Sequence, residues 1–170
     1  MGSYTKKQNP KGWGDATKLV RGGLDRSSHG ETSEAIYLTS GYVYDDPESA
    51  ERRFAGEEEG YVYGRYGNPT VSMLEERFRL LEGAEACYAV ASGMSAAFGA
   101  LACQLKMGDH VVASRSLFGS NYQIITAILP KFGITFDIID GPDSKSQTET
   151  MKPKSTYVNL KPPSNPLLEF

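Results

Sequence analysis

ACYAVASGMS, residues 86–95, is the stretch of sequence that decides the fold. Its first six residues, 86–91, form a short apolar run of the kind that builds a buried strand. Ser92 and Gly93 interrupt this run, and a second, largely apolar segment, 95–106, then has the length and composition of a well-buried helix. The pattern predicts a strand, a tight turn and a helix in succession, which is one unit of an α/β fold.

The turn at residues 92–94 is suited to binding a phosphate group. Glycine lets backbone amides approach a ligand closely, and the first turn of a helix offers unpaired N–H groups at its positive end. Gly93 and Met94 are therefore candidate phosphate donors. Serine-glycine turns also reverse the chain in many α/β proteins without binding a ligand, so this turn alone leaves both interpretations open.

A second candidate site lies upstream, in residues 61–70, where aromatic rings, one arginine and an Asn-Pro turn occur close together. Arg65 can bind phosphate oxygens with two parallel hydrogen bonds, and the Tyr63 phenol can donate one more. These two side chains could close the open side of a phosphate site. The alternative is a tyrosine cluster in a loop beside a solvated arginine.

Helix and strand patterns alternate along the rest of the chain. Apolar residues recur at helical spacing from Val71 to Leu81, with a capping box at Ser72 and Glu75 and a terminating Gly83. The later predicted elements are a strand at 111–113, a helix at 122–129, a strand at 134–139 and a strand at 156–160. This alternation predicts a parallel, doubly wound sheet with helices on its faces.

Several motifs follow one another in an order that resembles a known family. They are Tyr63-Gly64-Arg65, Asn68-Pro69-Thr70, Leu81-Glu82-Gly83-Ala84-Glu85, Ser92-Gly93-Met94, Gly108-Asp109-His110 and Phe118-Gly119. The chain resembles the Cys/Met-metabolism family of pyridoxal-phosphate enzymes, closely over residues 35–141 and more loosely over 152–170. Within that family it is most similar to the O-succinylhomoserine sulfhydrylase branch.

The resemblance implies a fold and a reaction. The fold would be the N-terminal part of a fold-type I pyridoxal-phosphate transferase large domain, with an arm at residues 1–60 and an incomplete cofactor-binding domain at 61–170. The reaction would be γ-replacement, in which a homoserine ester exchanges its leaving group for sulfide or a thiol in methionine biosynthesis. A cystathionine or methionine lyase of the same family remains an alternative. So does a noncatalytic fragment that binds phosphate or another chain.

The resemblance also implies roles for individual residues. Gly93 and Met94 would donate backbone amides to the phosphate of pyridoxal 5'-phosphate, while Tyr63 and Arg65 would reach the phosphate of a neighbouring subunit. Active sites would then be shared within a homo-oligomer, a tetramer in the family. The small-molecule partner would be an amino-acid substrate.

Two further positions match cofactor contacts of the family. Phe118 stands where the family usually has a tyrosine stacked on the pyridine ring, and offset stacking needs only a flat aromatic face. Asn165 matches the asparagine that hydrogen-bonds the phenolic oxygen of the cofactor. The segment 142–150 has no apolar residue to bury and predicts a loop, and Lys161-Pro162 replaces the family's usual Glu-Thr.

No catalytic residue is predicted in the chain. In the family, the lysine that binds the cofactor covalently and the aspartate that pairs with the pyridine nitrogen both lie beyond the segment that contains Asn165. None of the ten lysines here has the serine-rich context of the family's lysine. We therefore expect a truncated or divergent chain with little activity alone, since covalent catalysis needs an amine at this position.

Composition excludes several other functions. A formal net charge of −3 with mixed signs predicts no broad basic surface for nucleic acid. No signal segment or membrane-spanning stretch is evident, which favours the cytoplasm and no membrane partner. Cys87 and Cys103 lack metal-site spacing and are predicted to be buried, reduced thiols. His29 and His110 have no evident carboxylate or cysteine partner, so no metal site is predicted.

Overall fold

The computed structural model describes residues 12–140, 148–153 and 155–159. The chain forms two compact units, one up to Ala89 and the other from Val90. The described part of the first unit contains α1 (Asp15–Arg21), α2 (Pro47–Ala55) and α3 (Pro69–Glu82). That of the second contains α4 (Gly93–Ala102), β1 (His110–Ser114), α5 (Gly119–Gln123), a π-helix (Ile124–Ile128), a 3₁₀ helix (Leu129–Phe132), β2 (Thr135–Ile139) and β3 (Ser155–Asn159).

The long helix α3 confirms the predicted helix but begins earlier than the predicted capping box. The Asn68 side chain accepts a hydrogen bond of 2.9 Å from the amide of Thr70, and a proline follows it at the first helical position. Asparagine before proline is a strong start signal, so the box predicted at Ser72 and Glu75 is wrong. Gly83 ends the helix in the left-handed conformation with φ 63°, as predicted.

The described residues before α2 pack onto α3. Helix α1 contacts α3, and Leu24 just after it is buried. Arg77 of α3 donates through Nε to the Gly22 carbonyl at 3.2 Å and through Nη1 to a Glu34 carboxylate oxygen at 2.9 Å. The division of the chain at residue 60 into arm and cofactor domain stays a prediction.

The second unit is built on a parallel sheet with strand order β2-β1-β3. All five residues of the central strand are buried, and alternate side chains of a strand point to the same face. Val111 and Ala113 accordingly share one core with residues of the surrounding helices and turns. That core also contains Leu101, Leu117, Ile124, Ile125, Leu129 and Ile134. The predicted α/β class and the strands at 111–113, 134–139 and 156–160 are confirmed, within one or two residues at each end.

The strand predicted at residues 86–91 is wrong. No strand of the described chain lies beside this segment, and the Ala89 amide instead donates to a carboxylate oxygen of Glu75 at 2.7 Å. Tyr88 and Val90 are 73% and 44% exposed. An apolar run becomes a strand only where another strand pairs with its backbone, and this requirement is invisible in the run itself.

Helix α4 is shorter and more exposed than predicted. It ends at Ala102, and Leu101 is its one buried residue among those described. Cys103 is exposed and Cys87 is half-buried, so the prediction of two buried thiols is wrong. The predicted helix at 122–129 is divided among α5, the π-helix and the 3₁₀ helix.

The segment predicted as a loop is partly described. Residues 148–150 are helical, which contradicts the loop at these positions. Charged and hydroxyl side chains can form a helical turn without burying an apolar face. None of the described helices has the length and hydropathy needed to cross a bilayer.

We predict that Leu101→Ala destabilises the second unit by about 2–5 kcal/mol, because it leaves a cavity in the core. Leu38→Ala is the matched control, since Leu38 is 95% exposed, and it should change the unfolding free energy by less than about 0.5 kcal/mol. Urea unfolding followed by circular dichroism measures both. Equal midpoints for the two variants would contradict the described core.

Candidate functional site

The amino end of α4 is an exposed, capped helix start. Ser92 has extended backbone angles, φ −157° and ψ 157°, and its hydroxyl accepts a hydrogen bond of 3.1 Å from the Ser95 amide. The Ser92 carbonyl accepts another, of 3.0 Å, from the Ala96 amide. The cap thus satisfies the third amide of the helix and the first intrahelical bond satisfies the fourth.

Two amides of the same turn remain available. The Gly93 and Met94 N–H groups have no hydrogen-bond acceptor among the described residues, and both point from the positive end of a ten-residue helix. A side-chain carbon built at Gly93 would meet nothing within 4 Å. Open space in front of two unpaired amides is what an anionic group requires, so the residues present fit a phosphate.

An apolar cleft of about 480 Å³ adjoins this helix start. It lies between α4 on one side and α5 with the π-helix on the other. Met94 and Phe98 line its α4 side, and Ser120 and Ile124 line the opposite side. Phe118, the residue directly before α5, is 47% exposed and therefore has a free aromatic surface, although it does not line this cleft.

Tyr63 and Arg65 lie together on an exposed turn of the first unit. The Tyr63 carbonyl accepts hydrogen bonds from the amides of Tyr66, at 2.9 Å, and Gly67, at 3.1 Å. The Arg65 guanidinium lies 5.6 Å from the centre of the Tyr63 ring and 5.2 Å from that of Tyr66. These cation–π contacts hold the guanidinium beside a phenol while leaving it accessible to another molecule.

Asn68 positions this turn, a role that the sequence did not predict. Its Nδ2 donates to the Tyr37 carbonyl at 2.9 Å and to the Thr39 carbonyl at 3.2 Å, while its Oδ1 caps α3. The Gly64 amide donates to the Ser40 carbonyl at 2.8 Å, and a side-chain carbon on Gly64 would lie only 3.1 Å from the Ser40 backbone. The glycine is needed because two backbones approach closely here.

Two other sequence predictions concern Asn165 and His110. Asn165 lies outside the described residues. The expectation that His110 has no carboxylate partner is wrong, because its Nε2 lies 3.3 Å from a carboxylate oxygen of Asp137. That partner comes from a neighbouring strand, so only the register of the sheet brings it close. Among the described residues, no group of His, Cys, Asp and Glu side chains could hold a metal ion.

Comparison with known proteins identifies the family. The family model described as Cys/Met metabolism PLP-dependent enzyme matches residues 16–170. The chain belongs to this family. Pyridoxal 5'-phosphate (PLP) is the cofactor of the Cys/Met-metabolism family, and its phosphate is the kind of anion that the α4 amides fit.

The relatives within the Cys/Met-metabolism family include two kinds of enzyme. The chain is 50% identical over 163 residues to O-succinylhomoserine sulfhydrylase of Mycobacterium tuberculosis, covering 96% of this chain and 40% of the relative. It is 36% identical over 161 residues to L-methionine gamma-lyase of Porphyromonas gingivalis, covering 95% and 40%. The chain therefore spans about two fifths of the length of these curated relatives.

A solved structure gives the same result for the fold. The chain superposes on a putative O-acetylhomoserine (thiol)-lyase of Campylobacter jejuni with a TM-score of 0.85 and 29% identity, covering 92% of this chain and 39% of that one. That structure holds N'-pyridoxyl-lysine-5'-monophosphate. The superposition confirms that the α/β arrangement is part of the large domain of a PLP-dependent enzyme.

Proposed function

We propose that this chain carries the phosphate-binding part of a PLP-dependent homoserine-ester sulfhydrylase. In that reaction the bond between Cγ and the ester oxygen breaks, the acid leaves, and the sulfur of sulfide or a thiol bonds to Cγ. The observation that carries the proposal is the start of α4, where Gly93 and Met94 present unpaired amides to open space. The higher identity to the sulfhydrylase than to the methionine lyase favours γ-replacement over elimination, which is the second candidate.

The roles proposed for the second unit follow from donor geometry and exposure. The Gly93 and Met94 amides would bind the phosphate, and the exposed Phe118 ring would stack on the pyridine ring. When bound, the cofactor supplies an electron sink for the reacting amino acid. Asn165 would hydrogen-bond the phenolic oxygen of the cofactor, as the family resemblance implies. The cytoplasmic location stays a prediction.

Tyr63 and Arg65 would bind the phosphate of a neighbouring subunit. Their exposed turn and the two cation–π contacts support this role, because the guanidinium is held in place before any ligand arrives. Arginine is also the side chain that best matches phosphate oxygens bidentately. A homo-oligomer with sites shared between subunits is therefore part of the proposal.

The first experiment tests cofactor binding and covalent attachment separately. The purified chain is titrated with PLP, its visible spectrum is recorded, and the complex is reduced with borohydride before peptide mass analysis. We expect saturable binding without stoichiometric labelling of one lysine, since none of the ten lysines matches the family's context. Labelling of a single lysine would overturn the expectation of a non-covalent site. Absence of saturable binding would overturn the phosphate site itself.

A glycine pair on α4 tests the phosphate site directly. Gly93→Ala should weaken PLP binding at least about tenfold, which is about 1.4 kcal/mol, because its methyl group enters the space before the amides. Gly99→Ala is the matched control on the same helix, and its added carbon also meets nothing within 4 Å. It should leave the dissociation constant unchanged and stabilise the helix by about 0.5–1 kcal/mol. Equal effects of both changes on binding would contradict the proposed site.

Mixing two defective chains tests whether sites are shared between subunits. Gly93→Ala and Arg65→Ala chains should each bind PLP weakly, but in a mixed dimer one site carries both defects and the other carries none. After refolding together at equal amounts, roughly one quarter of the sites should regain the unmodified affinity. Calorimetric titration of the mixture measures this fraction. If no sites in the mixture regain the unmodified affinity, Arg65 contributes only to the site of its own chain or to no site.

A further inference from the structure

A buried histidine joins all three strands at the amino edge of the sheet. His110 is the first residue of β1, is paired in register with Ser155 of β3, and is 2% exposed. The helix α5 and the residue Phe118 follow the opposite, carboxyl end of β1. The proposed cofactor site therefore makes no use of this histidine.

The imidazole has a polar partner at each nitrogen. Nδ1 lies 2.8 Å from the Ser155 hydroxyl, and Nε2 lies 3.3 Å from Oδ2 of Asp137 on β2. Lys152 reaches the same place from the segment before β3. Its Nζ lies 2.6 Å from that same Asp137 oxygen and 3.4 Å from Nε2 of the imidazole. One carboxylate oxygen is thus shared by a lysine and a histidine.

The same groups fix the backbone that enters β3. The Lys152 amide donates to the Ser155 hydroxyl at 2.8 Å, and the Ser155 amide donates to the Lys152 carbonyl at 2.8 Å. Any change in how Lys152 and Ser155 pair with the sheet is therefore transmitted to the start of this strand.

The arrangement suits a neutral imidazole. The ammonium group of Lys152 can only donate, so Nε2 accepts from it, and the Nδ1 proton goes to the Ser155 hydroxyl, which also accepts from the Lys152 amide. The ammonium group and the carboxylate balance each other in charge. Protonation of the imidazole would put two cations on one carboxylate, and Nε2 would become a donor that faces the Lys152 ammonium group.

We propose that His110, Asp137, Lys152 and Ser155 form a proton-controlled latch on strand β3. At neutral pH Lys152 pairs with Asp137 and holds the entry to β3 against the sheet. When the imidazole is protonated, the buried imidazolium takes Asp137, because it has no access to water, while the half-exposed Lys152 is released into solvent. The latch would make the order of the β3 entry depend on the protonation state of His110.

The surrounding charges support this direction. The hydrogen bond from Lys152, with a smaller contribution from His110, holds the pKa of Asp137 below its usual value of 3.8. A carboxyl with a lowered pKa stays ionised, and keeps its stabilising contribution, until the pH falls through that lowered value. Asp137 is therefore ionised, and able to pair with an imidazolium, at any pH above that lowered pKa. In the described ranges, Asp137 and Lys152 are the charged groups that form an ion pair or a hydrogen bond with the imidazole, and the adjacent Asp109 carboxylate accepts from the Lys106 amide instead.

Nuclear magnetic resonance on the whole chain tests the latch. The chain is titrated from pH 8 to 5, the imidazole signals are followed, and amide exchange is measured at Lys152, Ser155 and Val158. A His29→Asn variant identifies the signal of the exposed histidine. We expect amide exchange at Lys152 and Ser155, corrected for the intrinsic rate, to rise at least about tenfold as the pH falls. The midpoint of this rise should coincide with the midpoint of the His110 titration. Unchanged exchange through that titration, or an imidazole that stays neutral down to pH 5, would overturn the proposal.

Two lysine variants separate the latch from a general effect of acid. In Lys152→Met the imidazole should titrate at higher pH, because a neighbouring cation has been removed, and exchange at Ser155 should no longer follow the titration. Lys131→Met, in the 3₁₀ helix, is the matched control and should behave as the unmodified chain. If both variants retain the unmodified pH dependence, or if both lose it, Lys152 is not the released group and the proposal fails.

Discussion

The burial of β1 between two parallel partners is the constraint on which the second unit depends. Val111, Val112 and Ala113 have no exposed surface, so the backbone groups between them must be paired within the protein. Pairing with β2 on one side and β3 on the other meets this requirement. Because the strands are parallel, the segments that follow β1 and β2 emerge at one edge, where the Arg115 amide donates to the Ile139 carbonyl at 2.9 Å.

This constraint separates two chemistries on one sheet. The carboxyl edge leads into an exposed turn and the start of α5, where the aromatic ring of Phe118 is accessible to a ligand. The amino edge holds a buried imidazole among side chains from three strands. The proposed ligand binding therefore relies on groups that have no partner within the fold. The proposed pH response relies instead on a single carboxylate oxygen that has two competing partners, Lys152 and His110.

Local sequence patterns predicted the parts of the fold that depend on neighbours along the chain. The helical spacing from Val71 to Leu81 and the termination at Gly83 are of this kind, and both are observed. The strand predicted at 86–91 failed because a strand depends on a partner that the run of residues does not specify. The start of α3 failed for a different reason, since two local signals competed and Asn68 before a proline prevailed over the box at Ser72.

The candidate site likewise contains groups that depend on sequence neighbours and groups that depend on distant residues. The amides of Gly93 and Met94 could be predicted because every helix leaves its first amides unpaired. The partners of His110 could not, since Ser155 and Lys152 lie 45 and 42 residues further along the chain and only the strand register brings them together. The sequence predicts a turn at Asn68, but its bonds to the Tyr37 and Thr39 carbonyls depend equally on distant residues.

The π-helix at Ile124–Ile128 has a consequence for how this chain can change in length. A π-turn accommodates one residue more than an α-turn, so loss of one residue here would restore regular helix geometry without breaking the helix. Because the extra residue is taken up within the π-turn itself, its loss would leave the following side chains close to their present directions. Leu129, the next residue, would keep its buried place in the core. Loss of one residue from a regular α-helical turn would instead rotate all the side chains that follow by about 100°, so this segment is where the chain can shorten by one residue without disturbing the packing after it.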